Sequence, residues 1–438
     1  MRLAHLVVFV PLVFSPSASA DEARYIVHFV DADSARAART SRSIAGTARL
    51  DAPRHVRSLA AGGELFQVHG GDVSRLAGLP GVAAVEEDLV VTATAIVDPL
   101  WKRQWYMHDP KVGVDAEVAW HHTRGAGAVV AVLDTGITPH PEFDGQLLPG
   151  YDFVSDAAAA RDGDGRDANP ADEGDWRDAG DCGSARVVPS SWHGSHVAGL
   201  VVARSGNRPG IVGLAPEAKL LPVRVLGHCG GRISDVADAV VWASGGAVPG
   251  VPPLERRADA INLSLGGPGA CGIAIARAIE QARGRGTVVV AAAGNDQAKA
   301  STNVPANCPG VVTVAGLARD GSMAWYSNHG ERVTLSAPGG SLRERGADDI
   351  VSTVDAGKRG RERPIFAYYA GTSMAAPQVA ALVALMRSAD PVIGVDDVTR
   401  QLVDNARPLP GPCPKGCGAG LMDAGATVDA VVEDRARR

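Results

Sequence analysis

The chain has 438 residues, 45% hydrophobic and 21% charged, with 52 Gly and 28 Pro. That profile is globular and rich in turns, and it excludes a disordered chain of low hydrophobicity and high charge. A formal net charge of −6 excludes an overall basic field for nucleic acid or an anionic membrane.

At the start, Arg2 precedes an apolar stretch from Leu6 to Phe14, and Ala18-Ser19-Ala20 has the small-x-small form that signal peptidase accepts. The stretch is far shorter than the ~20 residues that cross a bilayer. Residues 1–20 therefore read as a cleaved export signal and not as a membrane anchor. The chain from Asp21 onward is expected to be secreted, where cysteines form disulfides more readily than zinc or redox centres. Six Cys leave fifteen pairings open; the expectation is that neighbours pair, Cys182 with Cys229, Cys271 with Cys308 and Cys413 with Cys417.

All seven Trp follow residue 100 and all six Cys follow residue 180, so residues 21–95 read as a separate unit. Its pattern is a strand (Tyr25 to Val30), an Arg/Ala-rich helix, a strand (Glu64 to His69), a helix (Val73 to Leu79) and a strand (Val82 to Asp88). Gly81 after Pro80 marks the last turn. That order suits a small α+β sheet with helices on one face. Residues 92–98 form a small-residue linker open to proteolysis.

From residue 96 to 438 apolar runs alternate with helical patterns. Val129–Leu133, Leu220–Leu226, Ala260–Leu265, Val288–Ala292 and Val311–Val314 are continuous apolar runs, as in strands buried on both faces of a parallel sheet. Helix-like stretches at 197–204, 233–243 and 273–282 lie between them. The alternation predicts an α/β fold with a doubly wound parallel sheet flanked by helices.

Ligands of open α/β sheets bind outside the carboxyl ends of the strands, and polar residues gather there. Asp134 ends the first run, Ser264 falls in Asn262-Leu-Ser-Leu-Gly266, and Asn295 follows Ala291-Ala-Ala-Gly294. His193-Gly-Ser-His-Val-Ala-Gly199 and Gly371-Thr-Ser-Met-Ala-Ala-Pro377 open apolar helices. Pro377 lacks an N–H and belongs near a helix start, which puts Ser373 in or near the first turn. There its own N–H and the positive helix end can stabilise an oxyanion.

These blocks resemble the subtilases, the subtilisin-type serine endopeptidases. Val132-Leu-Asp134-Thr-Gly-Ile137, the His193 block and the Ser373 block run Asp, His, Ser, which is subtilisin's order. A Gly-x-Ser-x-Gly lipase pattern is absent, as is the Glu that H-E-x-x-H would place after His193 beside His196. The resemblance implies that Asp134 orients the imidazole, His193 is general base and then acid, and Ser373 is the nucleophile. It implies that Asn295 and the Ser373 N–H bind the oxyanion, and that Ser264, Leu265 and Gly266 pair with the substrate main chain. It also implies a monomeric enzyme acting on protein and peptide substrates, with residues 21–95 a ferredoxin-like inhibitory propeptide that assists folding and is self-cleaved. Ser195 stands where the family usually has Thr, an exchange expected to matter little.

The acidic run Asp162-Gly-Asp164-Gly-Arg-Asp167-Ala-Asn169-Pro-Ala-Asp172-Glu173 suits Ca²⁺, a hard cation that takes six to eight oxygen ligands. Arg166 and Asp167 break the EF-hand pattern. The expected ligands are Asp162, Asp164, Asp167, Asn169 and Asp172. The family resemblance adds a weaker calcium site around Gln104, Glu142 and Asn207.

Overall fold

A computed structural model of the chain describes residues 22–40, 54–69, 74–88, 98–208, 210–342 and 346–438. The expected export signal and the linker up to residue 97 lie outside the described residues. The chain divides into two units between Thr94 and Ala95.

The first unit has strands β1 (Glu22–Phe29), β2 (Arg54–Ser58), β3 (Glu64–His69) and β4 (Val82–Glu87). One helix, Ala32–Thr40, follows β1, and a short one, Ser74–Ala77, precedes β4. The sheet is antiparallel where β1 pairs, in the order β2-β3-β1-β4, a βαββαβ arrangement. Val27, Phe66, Val68 and Leu76 form its buried core. The sequence pattern predicts three strands; β2 is the fourth. Its Arg-His-Val-Arg-Ser sequence sits at a sheet edge and has no buried residue, so no hydrophobic alternation announces it.

The second unit is built on a seven-stranded sheet. In chain order its strands are β5 (Val129–Asp134), β6 (Tyr151–Asp152), β7 (Lys219–Arg224), β8 (Ala260–Leu263), then, after the short strand β9 (Gly267–Pro268), β10 (Val288–Ala292). After a second short strand, β11 (Asn303–Val304), come β12 (Val312–Leu317) and β13 (Leu335–Pro338). The order is β13-β12-β10-β8-β5-β7-β6, and every pairing in the sheet is parallel. A hairpin of β14 (Ile350–Asp355) and β15 (Pro364–Tyr369) lies outside it.

The continuous apolar runs make sense because successive side chains of a strand point to opposite faces. Val130 and Val132 join Val288, Val290, Val312 and Val314 in one core with the helices His193–Val202 and Thr372–Ala389. Val129, Ala131 and Leu133 join Val289 and Ala291 in the other, against the helices Ile233–Ala243 and Ile273–Gly284. Helices thus cover both faces, and the carboxyl ends of β5, β8 and β10 are left open in the middle of the sheet.

The structure joins Cys182 to Cys229, Cys271 to Cys308 and Cys413 to Cys417. The second bond ties the segment after β9 to the segment after β11. Among the described residues no helix is long and apolar enough to cross a membrane.

Candidate active site

Asp134 is the last residue of β5 and is fully buried. Its Oδ1 accepts the backbone N–H of Thr135 at 2.8 Å and faces His193 Nδ1 at 2.7 Å. His193 is the first residue of its helix, and the next residue, Gly194, packs directly on the Asp134 loop. A Cβ at Gly194 would lie 2.2 Å from the Gly136 carbonyl oxygen, so only glycine permits this approach. Burial pulls the His193 pKa down. The Asp134 charge and hydrogen bond, with Asp175 and Asp172 further out, outweigh it and leave the net shift upward.

Ser373 is the second residue of the helix Thr372–Ala389, beside the positive end of the helix dipole. Pro377 lies four residues on, inside this helix. A proline cannot donate the i→i−4 bond, so the Ser373 carbonyl is left without its helical donor. Ser264 Oγ supplies the bond instead, donating to Ser373 O at 2.8 Å. Asn262 Nδ2 donates in turn to Ser264 Oγ at 2.9 Å. Asn262 is fully buried. The sequence analysis names Ser264 only for substrate main-chain pairing and gives Asn262 no role, although a Pro four residues after Ser373 is a visible signal that its carbonyl needs another donor. The Ser373 hydroxyl itself donates to the Ser264 carbonyl at 3.2 Å.

Asn295 follows β10. Its Oδ1 accepts from both the N–H and the hydroxyl of Thr372, each at 2.9 Å. The Asn295 amide nitrogen and the Ser373 nitrogen both border Gly371, 3.4 and 3.6 Å from where its Cβ would lie, so two potential donors sit close together at the helix start.

After Leu263 the chain leaves the sheet, and Ser264, Leu265 and Gly266 run on without a strand partner. Across from them run Ala293 and Gly294. Asn303 lies between these two lines of backbone, buried, its Nδ2 donating to Ala293 O at 3.2 Å. A Cβ on Gly266 would lie 2.6 Å from that nitrogen.

Two histidines share the His193 helix, but they do different things. His196 is fully buried and stacks on Tyr369 at 4.4 Å, with Nε2 set against the carbonyls of Ile350 and Ala367. Burial pushes its pKa down to about 3, so it stays neutral. Ser195 is buried as well, and its Oγ accepts the Thr138 N–H at 2.9 Å.

The residues named for calcium separate into three groups. Asp162 and Asp167 come together, and with them Asp152, which the sequence reading did not name. Asp164 and Asn169 are exposed; Asn169 Oδ1 accepts the Ala171 N–H. Asp172 does not join them. It turns under the end of β5, accepting from Thr135 Oγ1 at 2.6 Å and from Gly174 N at 2.9 Å. The cause is the loop's path, since Ile137 pairs with Ala171 and carries Asp172 toward β5.

Around the second group, Gln104 is already committed. Its Nε2 donates to Tyr106 Oη and Val212 O, and its Oε1 accepts from Val212 N. Asp98 is buried near Glu142, its Oδ2 accepting the Gly206 N–H at 3.0 Å. Glu142 is fully buried, and its carboxylate accepts from Asn207 Nδ2 and Ile211 N. Burial pushes its pKa up to about 7, and the nearby Asp98 charge adds to the rise. Asp98 Oδ1 and Asn207 Oδ1 are buried without a hydrogen-bond partner.

The profile of the subtilase family matches residues 125–423, which hold every residue of this edge. The chain belongs to the subtilase family. An extracellular protease of Xanthomonas campestris pv. campestris is 47% identical over 361 residues, covering 82% of this chain and 61% of that one. An extracellular basic protease of Dichelobacter nodosus is 42% identical over 373 residues, 83% of this chain and 60% of that one. This subtilase thus spans about three-fifths of the length of these two relatives. A solved protease structure from Pseudoalteromonas arctica PAMC 21717 superposes with a TM-score of 0.76 at 44% identity, covering 77% of this chain and all of that one.

Proposed function

We propose that this subtilase is a secreted serine endopeptidase that cleaves peptide bonds in proteins through an acyl-enzyme. The observation that carries the reading is the 2.7 Å Asp134–His193 bond on the same edge as a serine in the first turn of a helix and an asparagine with its amide turned to that turn. Ser373 Oγ attacks the substrate carbonyl carbon while His193 Nε2 takes its proton. Asn295 Nδ2 and the Ser373 N–H hold the oxyanion. Collapse breaks the C–N bond, with His193 returning the proton to the leaving amine, and water then repeats the sequence on the ester. Ser264–Gly266 bind the substrate as an added strand, main chain to main chain.

Residues 21–95 are read as its inhibitory and folding-assisting propeptide, a reading supported by their compact separate unit. Export is supported by the residue 1–20 pattern and by the extracellular naming of the two relatives. Calcium is the proposed structural ion. Asp98, Glu142 and Asn207 fit it through two orphaned buried oxygens and two carboxylates that form no ion pair among the described residues. Asp152, Asp162 and Asp167 fit it as three clustered carboxylates, of which only Asp152 and Asp162 bond to the Arg224 guanidinium. At either place it neutralises buried charge and takes no part in bond cleavage.

The test is covalent. A serine-directed phosphonyl reagent is expected to label Ser373 alone, mapped by mass spectrometry, and to stop casein hydrolysis. Ser373→Ala is expected to lose about 10⁶-fold in kcat, the magnitude known for triad removal in the family's prototype. Labelling elsewhere, or a working Ser373→Ala enzyme, refutes the mechanism.

A further inference from the structure

The acidic loop does not stop at its carboxylate cluster. It runs on beneath the catalytic edge, where Ile137 N donates to Pro170 O and Asp172 N donates to Ile137 O, both at 3.0 Å. Asp172 is 1% exposed and has no ion-pair partner among the described residues. Its Oδ2 takes the single proton of the Thr135 hydroxyl at 2.6 Å. Because that proton is committed to a carboxylate, the hydroxyl oxygen is free to accept, and it takes the N–H of Gly194 at 2.9 Å. Thr135 follows Asp134 and Gly194 follows His193. One hydroxyl therefore ties the two peptide segments that carry the acid–base pair, at a place where backbone already meets backbone with no side chain between.

We propose that Asp172 is a positioning residue, which through Thr135 holds the Asp134 loop and the start of the His193 helix at the spacing their 2.7 Å hydrogen bond requires. This rests on the reading of Asp134, His193 and Ser373 as the triad. The relay explains why a buried carboxylate sits behind a site that does not use it as ligand or nucleophile. A neutral partner fixes the hydroxyl's direction less firmly, because it can itself donate. The charged and titratable groups facing His193 are Asp134, Asp172, Asp175 and His196, and those facing Asp172 are Asp175, Arg224, His193 and Tyr369. Burial raises the Asp172 carboxyl to about 7, so its charge stands near the imidazole above that pH; removing it there takes away one anion, a change that reaches His193 whatever happens to the relay.

The experiment compares Thr135→Val, Thr135→Ser and Asp172→Asn in the full chain, measuring kcat and KM on a chromogenic peptide across pH. Thr135→Val keeps the shape and deletes the hydroxyl. It is expected to lose ten- to a hundredfold in kcat, within the ~10²-fold cost of a misplacement of about 1 Å, with KM little changed. Thr135→Ser is expected to restore the rate. Asp172→Asn is expected to move the acid limb of kcat/KM to lower pH. Should a variant fail to mature, the His193 titration is followed by NMR in a Ser373→Ala background, where Asp172→Asn is expected to lower the imidazole pKa. Wild-type kcat in Thr135→Val overturns the proposal, whereas an unmoved His193 titration in Asp172→Asn overturns only the through-space effect of the carboxylate. Activity surviving in Ser373→Ala itself overturns the triad reading instead.

Discussion

Two acidic regions of this subtilase answer the same electrostatic problem in opposite ways. In the acidic loop, the fully buried Asp152 and the nearby Asp162 both accept from Arg224, at 2.6 and 2.9 Å, and that arginine is itself buried. Arg166 adds bonds to Asp235 and Asp238. At the other place, Asp98 and Glu142 are equally buried, but among the described residues no arginine or lysine side chain forms an ion pair with them, and only the Arg204 charge acts on Glu142 from further away. Burial pushes both the Asp152 and the Glu142 carboxyl up to about 7, so what separates the two regions is the direct ion pair that Arg224 makes with Asp152. A dense run of acids is conspicuous, yet the chain supplies much of its own counter-charge there. The sparse pair is where a cation from outside has most to do.

The largest test of this contrast is Arg224→Leu. Removing one member of a buried ion pair leaves charge unpaired and costs ~3–5 kcal/mol. Urea unfolding should show a loss of that size, partly regained by excess calcium if the ion can stand in for the guanidinium. A loss under ~1 kcal/mol would mean that the loop does not depend on its internal cation.

Next comes chelation. An ion held with a hundredfold excess over its Kd contributes ~2.7 kcal/mol, so chelator at pH 8 should lower Tm by several degrees. Glu142→Gln should remove most of that sensitivity and Asp167→Asn little of it; the reverse outcome would exchange the ranking of the two regions. The pH dependence has a definite sign. Glu142 is raised from 4.5 to about 7 in the folded state. The folded protein therefore binds more protons than the unfolded one between those values, and stability without calcium falls as pH rises through that window. Wild type in chelator should lose stability against Glu142→Gln between about pH 4.5 and 7, whereas calcium should flatten the difference.

Much of the architecture was legible because apolar strands and helix-opening motifs are local patterns. Val129–Leu133 and Val288–Val290 are apolar throughout because both faces are buried, and the helix at 233–243 has the bounds its periodicity indicates. The residues proposed as the triad stand out in the sequence for the same reason, each closing or opening such an element. What stayed hidden depends on long-range pairing. Asp98 meets Glu142, Asp152 meets Asp162, and Asp172 meets Thr135 only because distant loops fold past one another. A carboxylate's neighbours in sequence say little about its partner in space. The edge strand Arg54–Ser58 was missed because exposed residues carry no hydrophobic period.

The smallest expected effect lies on the outer rim of the loop. Arg166 holds Asp235, whose side chain is 3% exposed, and Asp238, whose side chain is 46% exposed, at 2.6 and 2.7 Å. The distances are nearly equal, but solvent screens the outer contact and leaves the inner one. Asp238→Asn should cost no more than ~1 kcal/mol, as exposed pairs do. Asp235→Asn should cost more, because Ser155 N and Oγ also donate to that carboxylate. Equal losses for the two variants would mean that distance, and not burial, sets the strength of these pairs, and the contrast between the two acidic regions would lose its physical basis.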